Sequence, residues 1–140
     1  MKDQLNPFHL AFPIRNIEDT RRFYGGILGC EIGRESDKWI DFNFFGHQVS
    51  AHVTEKMPEV PCNDVDGKKV PVTHFGIILE GDTWEKLHKE LRKHQVEFLI
   101  EPYLRFAGEI GEQGTFFILD PAGNGLEFKT FKSKEMIFQK

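Results

Sequence analysis

Little in this 140-residue chain points to covalent staples, membranes or nucleic acid. Cysteine occurs twice, as Cys30 at the start of an expected strand and Cys62 in a Pro-rich stretch. There is thus no CxxC motif and no disulfide framework, and both read as free thiols. No apolar run approaches the roughly 18 residues of a membrane helix, and the opening "MKDQLNPFHL" lacks the apolar core of a signal peptide. The reading is a cytoplasmic protein with no membrane partner. Eighteen basic residues against 22 acidic ones give a net charge of −4, and Lys and Arg are scattered rather than striped. A footprint for nucleic acid or anionic lipid is therefore missing, and neither is expected as a partner.

Aromatic residues are what the chain does have. Phe occurs 14 times, much of it in alternating runs such as "WIDFNFF", which points to half-buried strands. The length fits a single domain over residues 1–140. Inside that domain a pattern occurs twice. "FHLAFPI" is followed by Asn16 and Asp19, which read as the start of a helix with apolar positions at Ile17, Thr20, Phe23, Tyr24, Ile27 and Leu28, stopped by Gly29. "CEIGRE", "WIDFNFF" and "QVSAHVTE" then read as strands. The second copy runs "THFGIIL", a helix opened by Asp82 and Glu85 and carrying Trp84, Leu87 and Leu91 on one face, then "VEFLIE", "GTFFILD" and "LEFKTF". His9 to His74, Phe23 to Leu87 and Ile32 to Phe98 keep nearly the same offset. The expectation is an α+β fold of two βαβββ modules, over about 7–54 and 72–131, joined by a Pro-, Asp- and Gly-rich linker over about 55–71. "EPYLRFAGEIGEQG", longer than its counterpart in the first copy, reads as a mobile flap or a hairpin over a site, and "KSKEMIFQK" as a tail whose apolar residues dock elsewhere.

Strand alternation sorts the candidate site residues. Ile40, Phe42 and Phe44 share one face with Val49, Ala51 and Val53 beside them. Trp39, Asp41 and Asn43 share the other with Gln48, Ser50 and His52. The apolar face should meet the helices, leaving the polar face to line a concave surface. Superposing the last strands of the two copies sets His52 against Glu127, as His9 is set against His74. Imidazoles and a carboxylate converging from related strands are good ligands for a divalent metal with positions left open for substrate. His9, His74 and Glu127 are the expected ligands, and His52 is a fourth candidate. His47 reads as a turn residue, and His88 and His94 as residues of a solvated helix face.

The paired βαβββ pattern, "HLAF" and "HFGI" at the two starts, "FYGGILGCEIG", and above all the ending "FFILDPAGNGLEF" resemble the vicinal oxygen chelate superfamily. That group includes glyoxalase I, extradiol dioxygenases, fosfomycin-resistance enzymes and bleomycin-resistance proteins. The resemblance spans about Pro7 to Phe131. It implies a cup-shaped mixed sheet around one divalent ion (Fe(II), Mn(II), Zn(II) or Ni(II)) and a small substrate that chelates it through neighbouring oxygens. Position by position, it makes His9, His74 and Glu127 a 2-His-1-carboxylate set, with Glu127 doubling as a metal-bound base, and puts His52 where glyoxalase I usually carries Glu. Extradiol-dioxygenase-like chemistry is the leading expectation. Glyoxalase-like lyase or isomerase chemistry comes second, and metal-free drug sequestration of the bleomycin-resistance kind third. Trp39, Asp41, Asn43, Tyr103, Arg105, Glu112 and Gln113 are candidate substrate contacts, Arg105 by a bidentate grip on an anionic group. A homodimer is expected, as is common for small proteins of this fold.

Overall fold

The computed structural model describes residues 5–140; residues 1–4, at the head of the segment read as lacking a leader, lie outside it. The chain divides into two compact units, one ending at Pro58 and one beginning at Glu59.

The first unit is a βαβββ module. Strand β1 (His9–Ile14) is followed by a helix, then by β2 (Glu31–Glu35), β3 (Trp39–Phe44) and β4 (His47–Val53). The sheet order is β1-β4-β3-β2, so the first and last strands of the module lie side by side and parallel. Asn16 caps the helix as its sequence suggests: its side-chain oxygen accepts the Asp19 amide at 2.8 Å, satisfying one of the orphan N–H groups of the first turn. The α-helical part, α1, covers only Ile17–Thr20, and the helix continues as a wider π-helical stretch, Arg21–Ile27. The Leu28 amide accordingly reaches back five residues to the Phe23 carbonyl. Phe23 and Tyr24 both face inward, as their spacing suggests, and Tyr24 sits against Phe12 and Phe42. Gly29, at φ +73°, ends the helix in a conformation that costs glycine nothing. The alternation read from "WIDFNFF" holds: Ile40, Phe42 and Phe44 are buried with Val49 and Ala51 beneath the helix.

The second unit repeats the module and adds to it. Strand β7 (His74–Ile78), helix α2 (Gly81–Lys93), and strands β8 (Phe98–Arg105), β9 (Gln113–Leu119) and β10 (Gly125–Thr130) form a sheet in the order β7-β10-β9-β8, again with the outer pair parallel. Phe116, Ile118, Leu126 and Phe128 line the helix side, with Trp84 and Leu91 of α2 packed on them. The Trp84 indole N–H donates to the Phe128 carbonyl at 2.9 Å, giving a buried ring its polar partner. The helix begins at Gly81 after Glu80, so Asp82 is a first-turn residue and not the cap expected from the sequence.

One departure from the sequence reading bears on the site. The stretch expected as plain linker holds a hairpin, β5 (Cys62–Val65) and β6 (Lys68–Pro71). Its turn is Asp66-Gly67, both at positive φ, the geometry that lets two strands turn back within two residues. The longer segment read as a flap or hairpin is a hairpin: β8 runs on to Arg105, the loop follows, and β9 turns back antiparallel from Gln113. A short 3₁₀ turn, Lys134–Phe138, follows the last strand.

Candidate functional site

In each module the face of the sheet opposite the helix carries the polar residues, and strand register fixes who meets whom. In the second unit, β7 and β10 run parallel with His74 opposite Gly125 and Gly76 opposite Glu127. Two missing side chains make this approach possible. A Cβ on Gly76 would lie 1.5 Å from the Glu127 carbonyl oxygen, and one on Gly125 would press the His74 Cβ at 3.2 Å and Pro71 at 3.4 Å. With those positions bare, His74 and Glu127 meet diagonally, Nε2 to Oε1 at 3.2 Å. The other carboxylate oxygen accepts the Thr115 hydroxyl at 2.5 Å, and the Lys129 ammonium stands 3.9 Å from Oε1. Glu127 is one-tenth exposed and His74 about a third, so the pair lies at a surface open to small molecules.

Both ring nitrogens of His74 face oxygens that only accept: Nδ1 the Pro71 carbonyl at 3.0 Å and Nε2 the Glu127 carboxylate at 3.2 Å. The Pro71 contact gives Nδ1 a place for its proton, and the gap between Nε2 and Oε1 then calls for a second proton or a cation. Two ligand atoms held about 2.1 Å from one ion at roughly right angles stand about 3 Å apart, so the pair fits a metal's bite without rearrangement.

In the first unit, His9 lies opposite Gln48, and its Nδ1 faces the Gln48 side-chain oxygen at 2.8 Å. That oxygen also only accepts, so Nδ1 of a neutral His9 ring donates to it and Nε2 is left as the nitrogen with the lone pair. His52 does not occupy the place expected for it. With His9 opposite Gln48 and His74 opposite Gly125, the residue equivalent to Glu127 is Ser50, and His52 lies further along, opposite Pro13 and Trp39. Pairing His52 with Glu127 slipped the last strands by two residues, a shift that keeps every side chain on its face and leaves no trace in the hydrophobic pattern. Ser50 is buried and donates to Asp41 at 2.6 Å. Among the described residues of each unit, no three His, Cys, Asp or Glu side chains come together.

The remaining candidates sort by what their polar atoms already do. Trp39 and Asp41 share the His9 face, Trp39 with the Arg34 guanidinium 5.9 Å from its ring centroid. Asn43 is engaged in the turn, where its oxygen accepts the Gly46 amide at 2.8 Å. Tyr103 and Arg105 lie opposite Thr115 and Gln113, on the Glu127 face. The Tyr103 hydroxyl donates to Asp66 in the hairpin turn; burial first, and the Asp66 carboxylate second, push its pKa up and keep the donor in place. Arg105 stacks on Phe106 at 4.8 Å, and the Gln113 amide donates to Gly111 at 3.0 Å. Glu112 is buried inside its own loop, accepting the Gly108 amide at 2.8 Å and pairing with Lys132 at 2.9 Å. These bonds hold its pKa below the ordinary carboxylate value, the Gly108 amide first and Lys132 second. Elsewhere, burial pushes the Cys30 thiol up to about 11, a poor nucleophile near neutrality.

Sequence reasoning missed Gln48, Pro71 and Thr115, which orient His9, His74 and Glu127. Gln48 and Thr115 were legible as polar residues on ligand-bearing faces. Pro71 acts through its carbonyl, for which no residue type signals.

A sequence model described as the Glyoxalase/Bleomycin resistance protein/Dioxygenase superfamily matches residues 7–128. Among solved structures, the chain is similar to a glyoxalase/bleomycin resistance protein/dioxygenase from Alicyclobacillus acidocaldarius, with 30% identity and a TM-score of 0.81 over 99% of this chain and 100% of that one. It is also similar to the fosfomycin resistance protein FosX from Listeria monocytogenes (14% identity, TM-score 0.72, 99% and 100% covered). A third neighbour is a glyoxalase family protein from Bacillus anthracis (19%, 0.64, 93% and 98%). At those two lower identities the likeness speaks for the fold alone.

Proposed function

The chain belongs to the Glyoxalase/Bleomycin resistance protein/Dioxygenase superfamily, and from that premise we propose that it is a metal-dependent enzyme of extradiol-dioxygenase type. In this reading His9, His74 and Glu127 hold one divalent ion. The observation that carries it is the matched placing of the two imidazoles: each has Nδ1 against an oxygen that only accepts, which leaves Nε2 as the nitrogen that would take an ion. Two such nitrogens and one carboxylate form the ligand set that leaves open positions on non-haem Fe(II). The ion would supply Lewis acidity toward two adjacent substrate oxygens and, as iron, a place for dioxygen.

The chain's own residues do the rest. Glu127 is held at Oε2 by Thr115, so Oε1 is the atom that turns to the ion and can take a substrate hydroxyl proton. Trp39 and Tyr103 would wall the substrate, and Arg105 and Gln113 would contact its polar end. Asp41, Asn43 and Glu112 would support those walls through the bonds they already make. A cytoplasmic homodimer handling a small molecule completes the proposal. Within the described residues no helix is long and apolar enough to cross a membrane.

The glyoxalase-like alternative wants a fourth protein ligand in the first module, and the equivalent place is Ser50, spent on Asp41. Drug sequestration without metal leaves the two prepared imidazoles without a task. Oxygen uptake by Fe(II)-loaded protein with a panel of catechols tests the proposal. Uptake should appear in the parent and vanish in His9→Ala and His74→Ala. Hemithioacetal turnover by Ni- or Zn-loaded protein, without oxygen uptake under iron, would contradict it.

A further inference from the structure

Among the described residues the hairpin β5–β6 has no counterpart in the first module, and it touches the site at both ends. At its foot, Pro71 gives the carbonyl that takes the His74 Nδ1 proton. Along its length, Val70 is buried against Ile100 and Phe117, with Val65, Leu99 and Tyr103 packed around them. Phe117 lies opposite Glu127 in the sheet and edge-on to the His74 ring, centroids 4.8 Å apart. At its tip, Asp66 accepts the Tyr103 hydroxyl. The hairpin is thus laid on the ligand-bearing face and pinned at turn and base.

The first module shows why this matters. There the residue beside the histidine is Gln48, whose side chain orients His9. In the second module that place is Gly125, which has no side chain to offer, and a Cβ there would meet Pro71 at 3.4 Å. The bare glycine both removes the local partner and clears the room that Pro71 occupies. We propose that the Cys62–Pro71 hairpin is the positioning device of His74, supplying through Pro71 the oxygen for Nδ1 that Gln48 supplies to His9, with Tyr103 and Asp66 as the catch that keeps it seated.

This inference rests on the metal reading above for its consequence and on the tautomer alone for its mechanism, so the two can fail separately. Long-range ¹⁵N–¹H correlation of the metal-free protein with His74 neutral, parent and variants alike carrying Glu127→Ala to remove the competing acceptor at Nε2, reads which ring nitrogen is protonated. Titration with Zn²⁺ as probe, with Glu127 intact, reads affinity, and a thermal melt reports folding. The parent should show His74 protonated at Nδ1. Tyr103→Phe should populate both tautomers and weaken Zn²⁺ binding about tenfold, the range seen when an outer-shell partner is lost. Asp66→Ala should do the same, serving where Tyr103→Phe fails to fold. Asp66→Asn, which keeps an acceptor oxygen and tolerates the positive φ, should restore both readouts. Parent-like tautomer and affinity in folded Tyr103→Phe and Asp66→Ala would overturn the hairpin's role. His74→Ala binding Zn²⁺ as tightly as the parent would instead overturn the metal reading, while the tautomer result still decides the hairpin.

Discussion

The two modules are drawn on one plan and differ where chemistry is placed on it. Both pair their first and last strands in parallel, both carry a histidine at the start of the first strand, and both bury a Phe-rich face under a helix. Yet Ala11, Gln48 and Ser50 in the first correspond to Gly76, Gly125 and Glu127 in the second. The first module orients its histidine with a neighbouring side chain. The second strips that neighbourhood to glycine, brings a carboxylate within 3.2 Å of the ring, and takes its orienting oxygen from a hairpin. A shared backbone thus carries a lone histidine in one half and a histidine–carboxylate pair in the other.

The largest expected break in the comparison comes from equalising the first-strand position. Gly76→Ala forces a methyl into the backbone of β10, where only strand separation gives relief, and should cost more than about 3 kcal/mol in urea unfolding or prevent folding. The reciprocal Ala11→Gly adds only chain entropy and should cost up to about 1 kcal/mol. Comparable losses for the two would refute the asymmetry. Next come the cores, which should behave alike. Phe42→Ala and Phe128→Ala each empty a fully packed ring site and should each destabilise by about 3–5 kcal/mol, by the same unfolding measurement.

A smaller effect lies under the second helix. Trp84→Phe leaves the buried Phe128 carbonyl without its indole donor and should cost about 1–2 kcal/mol. The smallest is a pH effect confined to the second module. Because Gly108 and Lys132 hold the Glu112 carboxyl below its ordinary value, the stability it lends is present above that value and lost as pH falls through the folded-state pKa. The Gly108 amide resonance should follow this acid titration in the parent and lose it in Glu112→Gln, with residues of the first module unaffected.

The same contrast explains what the sequence disclosed. Alternating Phe and the two histidine-bearing strands revealed both modules, because face assignment needs only the period of two. His52 was set against Glu127 because a slip of two residues keeps that period, and only hydrogen-bond register tells Ser50 from His52. The hairpin hid in a segment whose Pro, Asp and Gly content resembles a linker, although "VDGKKV" carries the Asp-Gly turn signal. The helical period did place Phe23 and Tyr24 on the buried face, but the π-helical widening after Thr20 left no mark that a 3.6-residue period would find.

The central claim is that His9, His74 and Glu127 are ligands of one ion. Titrating metal-free protein with Mn²⁺ or Zn²⁺ by calorimetry, beside His9→Ala, His74→Ala and Glu127→Gln variants of parent-like melting temperature, tests it directly. The account predicts one ion per chain in the parent and at least a tenfold weaker association in every variant. Stoichiometric binding that survives all three substitutions, or no binding by the parent, would contradict it.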